Sequence, residues 1–443
     1  LACQHLCQFY RRPRGLFISL KVRGRVREIV WNWPDADVRV IVVSYGERIL
    51  VLGYLGAAGI GIPIGNLALY TSCAGIHPTH CLPVMLDVGT NNENFLNDPL
   101  YLGLERRRER GDAYDELVDE FVSAVREMFP EALLQLEDFG NCNAFRLLKK
   151  YRDTLCLFDD DIQGTGAVAL SGLLAALRIT GGNLADQRVL FFGAGQAGIG
   201  IGNTIAAAMI DQGLPIEQSH SNCWFFDTKG LLVDSRQDIP TQKQPFAHDH
   251  APMTSLSDAI RQLQPTALIG CAGQGGAFTE DVVRLMASQQ ERPIIFALSN
   301  PTTKAECTAQ QAYEWSDGRA VFASGSPFEP VQLDNRTFVP GQGNNAYIFP
   351  GVGLGASLAR SRRVTDEMFL AAARVLAGLV TDEDLDLGRV YPGLSQIREV
   401  SARIAAEVAE IAYREGLAQQ EPPEDILADI REQMFQPLYP HYA

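Results

Sequence analysis

The sequence predicts an α/β protein built on parallel sheets, with one α/β domain inserted into another. Three observations carry that expectation. Short apolar runs alternate with helix-period segments from residue 181 onward. A separate set of strand-like and helical segments precedes residue 181, and helical patterning resumes after about residue 343. The chain of 443 residues has the length of two to three ordinary domains.

The elements follow in order. Residues 36–44 (ADVRVIVVS) read as a buried strand, as do residues 82–87. Over 115–129, Leu117, Val118, Phe121, Val122, Val125 and Met128 fall on one helical face. Residues 133–136 and 155–158 are short apolar runs, and acids follow both. From Gly164 an apolar helix pattern runs to Thr180. Beyond Gly181-Gly182, residues 188–192, 223–226, 267–269, 293–298 and 320–323 read as strands. Helical patterns at 198–212, 256–263 and 280–288 separate most of them. Such alternation implies βαβ units, a parallel sheet and right-handed crossovers. Helices return at 365–380 and 395–414.

Composition narrows the function classes. With 38 Lys+Arg against 53 Asp+Glu, the formal net charge of −15 argues against nucleic acid as a partner. Nine scattered cysteines form no disulfide framework and fit a reducing, cytoplasmic compartment. The longest apolar run, 60–70, is broken by Gly61, Pro63 and Gly65 and reads as too short to span a membrane. No signal peptide precedes the first residues, and a start at Leu1 suggests that the natural N-terminus lies further upstream.

Four motifs bear on chemistry. Gly193-Ala194-Gly195-Gln196-Ala197-Gly198 follows the apolar strand RVLFF and opens a helix. In that setting the glycines permit a tight turn and close approach of a pyrophosphate to the helix N-terminus. An acid should end the next strand and meet a ribose, and Asp227 does so after CWFF. This Rossmann-type reading outweighs a glycine-rich packing turn. A second cluster, Gly53, Gly56, Gly59, Gly61 and Gly65, follows the strand-like 48–52 but lacks the fingerprint spacing. It reads as a close-packed backbone turn near a ligand.

Acids form the third motif. Glu137-Asp138 follows one strand and Asp159-Asp160-Asp161 another. Open parallel sheets bind ligands beyond the carboxyl ends of their strands. Carboxylates converging there repel unless a cation compensates, and oxygen-only ligands suit Mg²⁺ or Mn²⁺. From the residues alone, two solvated acidic turns are an equal alternative. Last, Cys73, His77, His80 and Cys81 have zinc-like content without a standard spacing, and read as buried cysteines beside surface histidines.

These residues together resemble the malic enzyme family, across nearly the whole chain. The resemblance rests on RRPRGLF (11–17), LDVGTNN (86–92), EDFGN (137–141), FDDDIQGT (158–165), FGAGQAG (192–198), FALSNPT (296–302), FASGSPF (322–328), PGQGNN (340–345) and the C-terminal LYP (438–440). It implies oxidative decarboxylation of malate to pyruvate and CO₂ with NADP or NAD as oxidant. The related malolactic enzymes share much of the pattern and are a minor alternative. By resemblance, Glu137, Asp138 and Asp161 are divalent-metal ligands for Mg²⁺ or Mn²⁺, and Asp160 supports them. Arg48 matches the arginine that binds a malate carboxylate; Asn300 and Asn345 match asparagines near substrate and nicotinamide. Gly193, Ala194, Gly195, Gln196, Ala197, Gly198 and Asp227 match the cofactor loop and ribose acid. Thr228 and Lys243 match residues of NADP-preferring members, which tilts the cofactor expectation to NADP.

The resemblance also implies a domain plan. Residues 1–13 are a remnant of an N-terminal helical region, and 14–160 bind substrate and metal. Residues 161–344 are the inserted Rossmann-type NAD(P) domain, and 345–443 return to the first domain with a helical tail. A homodimer or homotetramer is the expected assembly. The chain departs from the family at proton-transfer positions. Asn66 stands where the family has its catalytic lysine, and the family's tyrosine segment would lie upstream of Leu1. Where the family reads T-D-G-E-R-I-L-G-x-G-D, this chain has Ser44-Tyr45-Gly46-Glu47-Arg48-Ile49-Leu50-Val51-Leu52-Gly53-Tyr54. A catalytically impaired homologue that still binds nucleotide and metal is therefore the alternative reading.

Overall fold

A computed structural model describes residues 14–47 and 53–438, together with His5. The predicted strand at 48–52, and with it Arg48, lies outside the described residues. The chain forms two compact units. The first comprises Leu1–Asp160, Phe349–Met368 and Ile397–Ala443; the second comprises Asp161–Ile348 and Phe369–Gln396.

The first unit is built on a five-stranded parallel sheet. Its strands are β1 (Leu16–Ser19), β2 (Val40–Ser44), β3 (Cys81–Asp87), β4 (Leu133–Leu136) and β5 (Leu157–Asp159), in the order β1-β3-β2-β4-β5. Every residue of β2, β3, β4 and β5 is buried. That is the pattern of strands covered on both faces, and it explains their unbroken apolar runs. The edge strand β1 is short and mostly half-buried, so its sequence gives little signal.

Helix α1 (Gly61–Ala74) crosses from β2 to β3 and ends at Gly75 in the left-handed conformation (φ 66°). Helix α2 (Asp112–Met128) lays its predicted apolar face onto the unit. Helix α3 (Asn141–Tyr151) joins β4 to β5. The glycine cluster read as a turn is instead mostly helical, with Gly56 and Gly59 in 3-10 geometry, Gly61 and Gly65 in α1, and only Gly53 before them. Close packing does hold for Gly56, whose absent Cβ would lie 2.1 Å from the Tyr101 hydroxyl. The helical stretch Gly56–Ala74 is also longer than the apolar run suggested. It and Asp160–Thr180 are long and apolar enough to cross a membrane by composition, and are 50% and 78% buried in the fold.

The second unit carries the sheet β14-β11-β10-β9-β6-β7-β8. Its strands are β6 (Val189–Phe192), β7 (Cys223–Asp227), β8 (Gly230–Leu231), β9 (Ala267–Gly270), β10 (Ile294–Ala297), β11 (Val321–Ser324) and β14 (Gly341–Gln342). All pairings are parallel except β8 against β7; β12 (Val331–Leu333) and β13 (Arg336–Phe338) form a separate hairpin. Helix α4 (Thr165–Thr180) leads into β6, and α5 (Gln196–Asp211) leaves it. The sequence kept 345–443 together, whereas Phe369–Gln396 packs in the second unit. Arg178 holds it by donating to the carbonyls of Ala377 (3.1 Å) and Val380 (2.7 Å), and the Tyr391 hydroxyl donates to the Val168 carbonyl (2.9 Å).

Candidate active site

Two sets of functional side chains stand at the carboxyl ends of the two sheets. In the first sheet β4 and β5 are neighbours, with Leu136 opposite Asp159. Parallel pairing therefore brings the residues just past each strand side by side. Glu137 and Asp138 follow β4; Asp160 and Asp161 follow β5 in a π-helical turn, Asp160–Gly164. Glu137, Asp138 and Asp161 each offer a carboxylate oxygen within 4.8 Å of the others. Asp138 and Asp160 are 5% and 3% exposed, so these are not solvated turns. Asp138 also adopts the left-handed conformation (φ 55°), a strained geometry that a short polar side chain tolerates. Three carboxylates so placed repel one another unless a cation compensates, and an all-oxygen donor set fits Mg²⁺ or Mn²⁺.

Polar residues beyond the predicted ligands surround this cluster. Tyr70, one turn past Asn66 on α1, donates to Gln135 Oε1 (2.7 Å), and Gln135 Nε2 donates to Glu137 Oε2 (2.8 Å). Burial, with Asp160 and Glu137 nearby, pushes Tyr70 well above the usual tyrosine range. Tyr45 accepts from the Gly140 N–H (2.8 Å) and from Asn143 Nδ2 (3.2 Å), and bonds Glu47. Arg108 caps it, 4.4 Å above the ring, and donates to the Tyr45 carbonyl (2.8 Å). Tyr45 is thus hydrogen-bonded at both its hydroxyl and its carbonyl, and it supports the backbone at Gly140, two residues past Asp138. Asn66 is half-buried, and its Nδ2 is enclosed without a hydrogen-bond partner.

In the second unit, β6 leads into the fingerprint and α5 begins at Gln196. Gly193 has φ 124°, and a Cβ there would lie 2.8 Å from the Cys271 carbonyl carbon. A Cβ on Gly198 would meet the Gly193 carbonyl oxygen at 2.3 Å. Glycine is required at both, and Gly195, the N-cap of α5, supplies no side-chain cap to its first N–H groups. Ala194 and Gln196 are buried beside them, and Ala197 is half-buried.

Asp227 ends β7, beside β6. Arg236 grips it with two bonds of 2.9 Å, Lys243 Nζ lies 3.8 Å away and the Lys229 N–H donates at 2.8 Å. Burial alone would raise the Asp227 carboxyl; the Arg236 bonds outweigh it and hold the group below the usual carboxylate range. Thr228 is exposed in the turn that follows. Asn300 lies three residues past β10 and is half-buried. Asn345 opens a 3-10 turn and donates to Thr165 Oγ1 (3.0 Å). Glu306 carries no local signal that pointed to a role. It is fully buried at the carboxyl ends of β9 and β10, accepts from Ser299 Oγ (2.5 Å) and the Ala272 N–H (3.3 Å), and occupies space that a Cβ on Gly270 would take. Burial raises its carboxyl above the ordinary range.

Of the remaining motif, Cys73 and Cys81 are buried and free, and His80 Nδ1 bonds the Asp37 carbonyl (2.7 Å). Among the described residues no metal-ligating group includes them.

Comparison with known proteins agrees with this geometry. Residues 1–152 match the malic enzyme N-terminal domain and residues 162–413 the malic enzyme NAD binding domain. The chain is 52% identical over 442 residues to the NADP-dependent malic enzyme of Columba livia, covering 99% of this chain and 79% of that protein. It is 52% identical to the NADP-dependent malic enzyme of Homo sapiens, covering 99% and 77%. The mitochondrial NADP-dependent malic enzyme of Mus musculus is 50% identical, with 100% and 74% covered. Among solved structures, Entamoeba histolytica malic enzyme shares the fold with a TM-score of 0.70 at 24% identity, covering 94% of this chain and 77% of that one. The chain therefore belongs to the malic enzyme family, whose reaction is the oxidative decarboxylation of malate.

Proposed function

We propose that this chain converts malate to pyruvate and CO₂ with NADP⁺ as the preferred oxidant, and that Glu137, Asp138 and Asp161 hold Mg²⁺ or Mn²⁺. The observation that carries this is the close carboxylate cluster at the end of β4 and β5. A divalent ion bound there supplies Lewis-acid polarisation of the substrate's C2 oxygen, which favours loss of CO₂. Asp160, buried beside Asp161, contributes negative charge to the same edge. Arg48 is assigned to a malate carboxylate, a role that suits a planar bidentate donor. Asn300 and Asn345 are assigned to substrate and nicotinamide. Residues 14–160 form the bulk of the substrate and metal domain, and 161–344 the bulk of the NAD(P) domain.

The preference for NADP⁺ is supported by the cations around Asp227. Arg236 and Lys243 converge where a ribose would sit, and they favour a 2′-phosphate. Asn66, in the family's lysine position, has an amide that donates a hydrogen bond but does not exchange a proton near neutral pH. Another group must therefore move the proton, and turnover should be slower than with lysine. A homodimer or homotetramer is the assembly expected from the family resemblance. Six free cysteines among the described residues favour a reducing compartment such as the cytoplasm.

The test is malate-dependent reduction of NADP⁺ and NAD⁺ with Mn²⁺, using the chain beside its Asn66→Lys and Lys243→Gln variants. Asn66→Lys should raise kcat, within the roughly 10²–10⁴-fold span of a general acid/base group. Lys243→Gln should raise KM for NADP⁺ and leave that for NAD⁺ unchanged. A chain with no turnover that gains it in Asn66→Lys would be the impaired homologue. No turnover by either chain, with no Mn²⁺ bound, would refute the proposal.

A further inference from the structure

Gln135 is fully buried within β4, a strand otherwise made of leucine. Leucine or methionine there would fill the same space with no polar group to satisfy. A buried amide costs free energy unless both ends are hydrogen-bonded. Both ends are bonded here, and their directions are fixed. Gln135 Nε2 donates to Glu137 Oε2 (2.8 Å), which fixes the amide with its nitrogen toward the carboxyl group. That leaves Oε1 facing Tyr70, whose hydroxyl must then donate. Tyr70 is itself locked. It is fully buried, packs edge-on against Phe349 at 5.0 Å, and fits because residue 353 is glycine. A Cβ on Gly353 would lie 2.4 Å from the Tyr70 ring and 2.8 Å from its hydroxyl.

We infer that Tyr70 and Gln135 are positioning residues for the metal centre. The relay from Tyr70 through Gln135 ties down Glu137 Oε2, so the Glu137 carboxylate keeps one orientation toward the cation. Tyr70 sets the direction of the amide, and the amide sets the direction of the carboxylate. Hydrogen bonds to the outer oxygen of a ligating carboxylate commonly change metal affinity by about 10–100-fold. The inference rests on the proposed ligand role of Glu137.

The experiment measures Mn²⁺ binding to the metal-free protein by electron paramagnetic resonance, with NADP⁺ binding followed separately by calorimetry. Gln135→Met preserves volume and removes both bonds; it should weaken Mn²⁺ binding about 10–100-fold. Tyr70→Phe keeps the amide but frees it to rotate, and should weaken Mn²⁺ binding roughly fivefold. NADP⁺ affinity should stay within about twofold in both, a split that general destabilisation would not produce. Unchanged Mn²⁺ affinity in Tyr70→Phe and Gln135→Met overturns the inference. Should Gln135→Met not fold, Tyr70→Phe alone decides. Glu137→Gln separates the two failures. If it abolishes Mn²⁺ binding while the other two variants bind normally, the positioning role falls and the ligand role stands. If it binds Mn²⁺ normally, both fall.

Discussion

Substituting Gly198 by alanine should damage the second unit more than helix propensity can repair. Gly198 is the third residue of α5, where alanine gains up to about 1 kcal/mol over glycine. Against that, the new Cβ would stand 2.3 Å from the Gly193 carbonyl oxygen and 2.9 Å from Cys271 Sγ. The carbonyl cannot retreat freely. It accepts from Cys271 Sγ (3.3 Å), and Gly193 itself packs on the Cys271 backbone at φ 124°. Overpacking of this kind costs about 1–3 kcal/mol, so even against the full propensity gain a net loss of up to about 2 kcal/mol is expected. The fingerprint loop must shift to relieve the contact, and NADP⁺ affinity should fall about tenfold or more, equivalent to 1.4 kcal/mol. Denaturant titration and NADP⁺ calorimetry would measure both. Gly65→Ala is the control: it lies in α1 with nothing within 4 Å of a Cβ and should stabilise by about 0.5–1 kcal/mol. A Gly198→Ala protein as stable as the parent, with unchanged NADP⁺ affinity, would refute the reasoning.

Three further outcomes are expected. Tyr45→Phe leaves the Gly140 N–H and Glu47 without the hydroxyl and should cost about 1–3 kcal/mol in denaturant unfolding. Glu306→Gln should give a pH-dependent difference. The Glu306 carboxyl is raised in the fold, so the parent is most favoured below the ordinary value of 4.5 and loses that advantage as pH rises through the folded value. The stability of the glutamine variant relative to the parent should therefore increase from pH 4.5 upward, as thermal melts across pH would show. Adding Mn²⁺ at 100 times its Kd should stabilise the chain by about 2.7 kcal/mol, reversed by a chelator; an unmoved melting curve would argue against the carboxylate site.

The fold class and the places where chemistry could lie were legible in the order of residues alone. Unbroken apolar strands ending in acids or glycines are a local signature, because burial on both faces and the demands of a phosphate turn both act on neighbouring residues. The acids after β4 and β5, the fingerprint after β6 and Asp227 at the end of β7 were all legible for this reason. What each one touches was decided by tertiary structure. Glu137 and Asp161 approach because β4 and β5 pair in register, which no local pattern specifies. Arg236 reaches Asp227 only after the chain reverses through β8, and Glu306 meets Ser299 only where the chain folds back past the end of β10. The helical pattern read at 365–380 does not say which unit it joins; Arg178 and Tyr391 bind Phe369–Gln396 to the second. Gln135 and Tyr45 show the same division. One is a lone polar residue in a leucine strand and the other an enlargement at a tight turn. Each has a function only in the hydrogen-bonded partners that packing brings to it, since a side chain's direction is set by its neighbours and not by its own identity.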